Sequence, residues 1–121
     1  MAEFWARISD ESISEKFESV DALLKEYRGA RTFYVQGDGI DFQDFFALDI
    51  VGIAECIVSN TDVNQCYLAS NPELPVIKNN IVFENCKIKD FRLAQLSVYS
   101  LSFINCKLII LKFKRMVRLN L

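Results

Sequence analysis

The residues of this chain best equipped for chemistry are its four cysteines, Cys56, Cys66, Cys86 and Cys106, which lie 10, 20 and 20 residues apart. Four thiolates could hold a zinc ion if they converged tetrahedrally. A second candidate is the acidic stretch Asp38, Asp41, Asp44 and Asp49, which could attract calcium. It lacks the order of an EF-hand loop, and Gly37-Asp38-Gly39-Ile40-Asp41 is a single fragment of the Gly-Gly-x-Gly-x-Asp calcium repeat, so a solvated turn is expected there. The 121 residues include no histidine, which removes Ser-His and Cys-His nucleophiles, His-ligated zinc and an imidazole base. No phosphate loop, dinucleotide fingerprint or nucleophile elbow is present, and no spacing fixes a pair of carboxylates in a cleft. The expectation is a non-catalytic protein without metal or cofactor.

What positions the cysteines is a repeat. Laying residues 81–100 over 101–120 places Phe83, Asn85, Cys86 and Lys87 on Phe103, Asn105, Cys106 and Lys107, with Ile88 on Leu108. Twenty residues upstream lie Val63, Cys66 and Leu68. The period divides into fives. Of fifteen pentad centres from Leu48 to Arg118 twelve are apolar, and of the residues two before each centre thirteen are; these 25 of 30 compare with about 15 at a 51% apolar composition. Two residues after each centre the side chains are mostly polar, among them Asn60, Asn85, Gln95 and Asn105.

A period of five fits neither a helix nor a long strand. It fits a short extended piece with two side chains pointing inward, followed by a polar corner. Four such sides close a coil of 20 residues, and coils stack at about 4.8 Å with backbones hydrogen bonded above and below. In such a stack Cys66, Cys86 and Cys106 fall in one inward slot of successive coils, where parallel side chains cannot converge on one ion. Packed, reduced core thiols are the expectation.

Over residues 46–116 this pattern resembles the pentapeptide-repeat family, the pair Val-Phe-Glu-Asn-Cys-Lys-Ile and Ser-Phe-Ile-Asn-Cys-Lys-Leu being the best match. The resemblance implies a mainly β, right-handed quadrilateral β-solenoid. Phe91, Leu96, Leu101, Leu111 and Met116 are larger than the small residues the family prefers two before each centre, which predicts a swollen or irregular coil.

One domain of 121 residues and 13.9 kDa is expected, organised as an N-terminal helical cap over 1–30, first coils over 31–70, a loop excursion at 71–80, and last coils over 81–121. Ser12 to Tyr27 reads as a helix with a Ser12/Glu15 capping box, the stripe Phe17, Val20, Leu23, Leu24 and Tyr27, and Gly29 past its end. Arg31 to Gln36 reads as the entering strand, and Met1 to Ile8 packs on the cap or joins the sheet. Between 71 and 80 the pattern lapses, with Asn71, Glu73 and Lys78 at inward positions and Pro72 and Pro75 flanking Leu74. Glu73, Leu74 and Lys78 form a candidate loop site.

Charge is uneven: residues 1–49 carry 11 acidic and 5 basic residues, and residues 50–121 carry 5 and 9. From Lys107 onward there are five basic residues and no acidic one. Ile109 and Ile110 fall at outward positions, so Ile109, Ile110, Phe113 and Val117, rimmed by Lys112, Lys114 and Arg115, form a candidate interface for a homodimer or a partner protein. The functional expectation is a protein-binding module, such as an inhibitor, immunity or counter-defence protein that occludes its partner. An alternative implied by the resemblance is a DNA-mimicking rod that binds a type II topoisomerase; another is nucleic-acid binding through the basic C-terminal coil. No run is apolar and long enough to span a membrane, and the polar start matches neither a signal nor a transit peptide, so a cytoplasmic protein is expected.

Overall fold

Short extended pieces with alternating burial stack into parallel ladders, and the chain forms a mainly β solenoid of about three turns. The computed structural model describes residues 1–73 and 75–114, the last two by backbone alone. The first side of each coil is a strand: β3 (Thr32–Gln36), β4 (Glu55–Ser59), β8 (Asn80–Glu84) and β11 (Leu101–Ile104). The second and third sides are β5 (Asp62–Val63) and β6 (Cys66–Ala69) in one coil, and run together as β9 (Lys87–Ala94) and β12 (Lys107–Lys114) in the next two. The fourth side is β7 (Val76–Ile77) and β10 (Ser97–Val98). Inward side chains stack in columns such as Val35, Val58, Phe83 and Phe103. The Phe83 and Phe103 rings lie 5.4 Å apart and nearly parallel, as identical residues in register permit.

The corners explain the Asn-Cys motif. Asn60, Asn85, Gln95 and Asn105 all have positive φ, between 49° and 55°, the left-handed conformation that asparagine tolerates best among side-chain-bearing residues. Asn60, Asn85 and Asn105 turn the same corner in successive coils, and the Asn105 amide donates to the Asn85 side-chain oxygen at 2.7 Å. The next residue closes the corner onto the coil beneath: the Cys86 thiol donates to the Val58 carbonyl and the Cys106 thiol to the Phe83 carbonyl, each at 3.3 Å.

The cap differs from the sequence expectation. The helix is only α1 (Val20–Tyr27), capped by Ser19, whose hydroxyl accepts from the Ala22 N–H at 3.1 Å. Ser12 caps nothing; Ser12–Ile13 form β2 against β1 (Glu3–Ser9). The segment was read through as helix because Phe17 lies in phase with the stripe, yet Phe17 bridges Phe4 as extended backbone. Residues 3–9 do join the sheet, as β1, antiparallel to β3, giving the order β11-β8-β4-β3-β1-β2. The entering coil is also not built of pentads: its third side is a short helix, α2 (Phe42–Phe46), capped by Asp41. Gln43 there pairs with Ala69 through both atoms of its side-chain amide, replacing the ladder a strand would have made. Val51 and Ile53, expected inside, are 84% and 57% exposed.

Coil lengths are unequal, as the large inward residues predict. Thr32 lies beside Glu55, Glu55 beside Asn80 and Ile81 beside Leu101, so the coils take 23, 25 and 20 residues. The five extra residues of the middle coil divide in two. Four lie between Ala69 and Val76, which pair with Ala94 and Ser97, and one lies between Ile77 and Ile81, which pair with Val98 and Leu101. Consequently Ile77 takes the inward position expected of Lys78. The same shift corrects the cysteine column: Cys66 stacks on Phe91, one side further round, and it is Thr61 that precedes Cys86 and Cys106. Cys56 stacks between Phe33 and Ile81.

Candidate interaction surface

The acidic stretch serves local structure. Asp38 accepts from the Met1 ammonium, and the Asp41 carboxylate accepts from the Asp44 N–H at 3.0 Å, fixing the start of α2. Burial, with Asp41 and Asp21 nearby, raises the Asp44 carboxyl above the usual range. The cysteines point into separate columns; burial pushes the Cys56, Cys66 and Cys86 thiols up, away from thiolate chemistry.

The loop residues are not brought together. Glu73 faces Asp41, Gln43 and Asp44 across a shallow depression, whereas the Lys78 ammonium turns the other way to donate to the Ile50 carbonyl at 3.0 Å. Leu74 lies outside the described residues. Beside Lys78 sits Asn79, which the sequence reading missed. It is 1% exposed, accepts from the Ala54 N–H and donates to the Phe46 and Leu48 carbonyls, all at 3.0 Å. As the one residue added to the fourth side, it secures the irregular stretch 46–54 of the coil beneath.

The outer faces of the second and third sides gather the remaining functional groups. On the second side Asp62, Lys87 and Lys107 are in register on adjacent coils. Two residues further along, Asn64, Lys89 and Ile109 line a depression of about 330 Å³ with Asp62, Val63 and Lys87. Beneath them the turn Gly37–Ile40 lines a second depression with Asp62 and Asn64. On the third side Tyr67, Arg92 and Lys112 are in register. The Arg92 guanidinium lies over the Tyr67 ring at 5.1 Å and donates to Asp90 at 3.1 Å, and the Tyr67 hydroxyl donates to the same carboxylate at 2.9 Å. The Arg92 hydrogen bond, before the Tyr67 bond and the Arg92 and Lys112 charges, holds the Asp90 carboxyl below its ordinary value. The bond to Asp90 raises Tyr67.

Of the sequence-predicted interface, Ile109 is 55% exposed and Ile110 37%, with exposed Lys112 beyond them. The Phe113 and Lys114 side chains, and Arg115 and Val117 altogether, lie outside the described residues. Counted coil by coil, formal charge runs from −4 over residues 32–54, through −2 over 55–79 and +1 over 80–100, to +5 over 101–121. The two described helices are too short to cross a membrane. The fold and this surface define a β-solenoid with a graded outer charge. Comparison with family models, curated proteins and solved structures finds no match to the chain.

Proposed function

We propose that this protein is a non-catalytic protein-binding module, a divergent relative of the pentapeptide-repeat solenoids, that engages an acidic partner through the basic half of its second and third sides. The observation that carries this reading is the exposed Ile109 and Ile110 set among Lys87, Lys89, Lys107 and Lys112. Apolar residues in a ring of like charge supply area at the centre and steering at the rim. The inward faces of the coils are filled by side chains, so chemistry would have to be done on the outside, where no nucleophile is paired with a base among the described residues. DNA mimicry finds little support, because Asp62 and Asp90 are the only carboxylates among the described residues on these faces from residue 55 onward.

The test is a photo-cross-linking residue at position 109, with position 55 on the first side as control. One acidic host protein should be captured from position 109 and not from 55, and Lys89→Glu with Lys107→Glu should abolish capture. Equal capture from both positions, or none, would overturn the reading.

A further inference from the structure

The second side carries both signs of charge on one face, and they are ordered. Going up the stack, its outer column reads Asp38, Asp62, Lys87, Lys107, with exposed side chains throughout. The neighbouring column reads Ile40, Asn64, Lys89, Ile109, apolar at both ends and polar between. A two-fold axis lying in this face along the strand direction exchanges the first coil with the fourth and the second with the third, and keeps each column opposite itself.

We propose that the protein forms an antiparallel side-by-side homodimer through the outer face of its second side. The dyad sets Asp62 opposite the partner's Lys87 and the Asp38 region opposite the partner's Lys107, twice each. It also sets Ile40 against the partner's Ile109 at either end, so the most exposed apolar side chain of the face is covered. An isologous contact requires a self-complementary patch, and a column of two acids followed by two bases is one. The competing arrangement, with the last coils stacked end to end, brings two segments of +5 together. Within one chain Asp38 is already engaged by the Met1 ammonium and Asp62 adjoins Lys87 on the next coil, so the central Asp62–Lys87 exchange is the pair to test.

Four coils at about 4.8 Å give a face about 14 Å from the first level to the last. That is below the size of a standard interface, so the dimer is weak and dissociates on dilution. This inference goes beyond the binding-module reading and does not depend on it, although a second copy would compete with an acidic partner for Lys87, Lys89 and Lys107.

Sedimentation equilibrium from 10 to 500 µM decides it. The parent should move from 13.9 kDa toward twice that mass as concentration rises, more weakly in high salt. Asp62→Lys alone and Lys87→Asp alone each set like charges across the dyad and should weaken association at least tenfold; the Asp62→Lys, Lys87→Asp double variant should restore it. Circular dichroism melts of all three variants keep a folding defect from passing for dissociation. A monomeric parent across the range overturns the dimer, as do folded single variants that associate like the parent or a double variant that fails to recover. A monomeric parent that is still cross-linked to an acidic host protein from position 109 overturns the dimer alone; a parent that dimerises with no heterologous capture overturns the binding-module reading alone.

Discussion

Asn79 and Asp90 are single polar side chains whose worth lies in what each would leave behind. Replacing Asn79 by alanine strands one N–H and two carbonyls in a buried place, and should cost about 2–3 kcal/mol in urea unfolding. A loss below about 1 kcal/mol would show that water takes over these bonds. Asp90 acts through pH. Its folded-state carboxyl is held low by Arg92 and Tyr67, so the stabilisation it brings is present above the ordinary carboxylate value of about 4 and is lost as pH falls through its lowered value. Asp90→Asn should therefore flatten the acid limb of the melting-temperature profile below about pH 4 and leave its shape near neutrality unchanged. A parallel offset at all pH values would assign Asp90 to packing alone.

The elements owe their form to corners more than to strands, since most sides are only two to five residues long. Left-handed backbone at Asn85 makes a specific demand. Asn85→Gly should be nearly neutral, whereas Asn85→Val should cost about 1–2 kcal/mol, because a β-branched side chain clashes with its own backbone at positive φ. Equal melting temperatures for the two would mean that the corner relaxes to another conformation. The four-residue insertion after Ala69 is accommodated because a longer surface loop adds little closure entropy. The single insertion at Asn79 is accommodated because its side chain takes up the backbone groups of the segment beneath.

At the scale of the whole molecule each coil touches only its neighbours, so stability is close to a sum of coil interfaces. Leu93 is 1% exposed, in a coil with neighbours on both faces. Leu93→Asp buries a charge against both and should unfold or aggregate the protein, a loss above about 4 kcal/mol. Gln95→Asp, two residues on at an exposed corner, should shift the melting temperature by only a few degrees. Similar melting for both would contradict the inward and outward assignment of the pentads. The graded charge is a property of the whole stack as well: no coil is strongly dipolar across its own plane, and the polarity arises from the order in which the coils follow one another.

The amino-acid pattern by itself determined the solenoid, the polar corners and the inward columns over residues 81–108, because there each coil takes 20 residues and a strict period places every side chain. It also determined that Ile109 and Ile110 face outward, since the same phase carries through them. Only the tertiary structure decided the register below Ile81. An insertion of five residues leaves a five-residue period undisturbed, so Cys66 stays in phase while moving one side round the coil, and no periodicity can report it. A comparison offset by 25 residues, setting Ser59-Asn60-Thr61-Asp62 beside Glu84-Asn85-Cys86-Lys87, carries the only local sign of the true alignment. The start of the chain was legible in type and not in extent: Asp41 with Phe42, Phe45 and Phe46 has the spacing of a capped helix and was absorbed into the pentads, and Ser12 could cap a helix as well as Ser19. Local propensity left those alternatives nearly equal, and the packing of β1 and β2 onto β3 chose between them. The face bearing Asp38, Asp62, Lys87 and Lys107 was beyond the reach of the sequence, because residues 24, 25 and 20 positions apart become neighbours only when unequal coils are stacked.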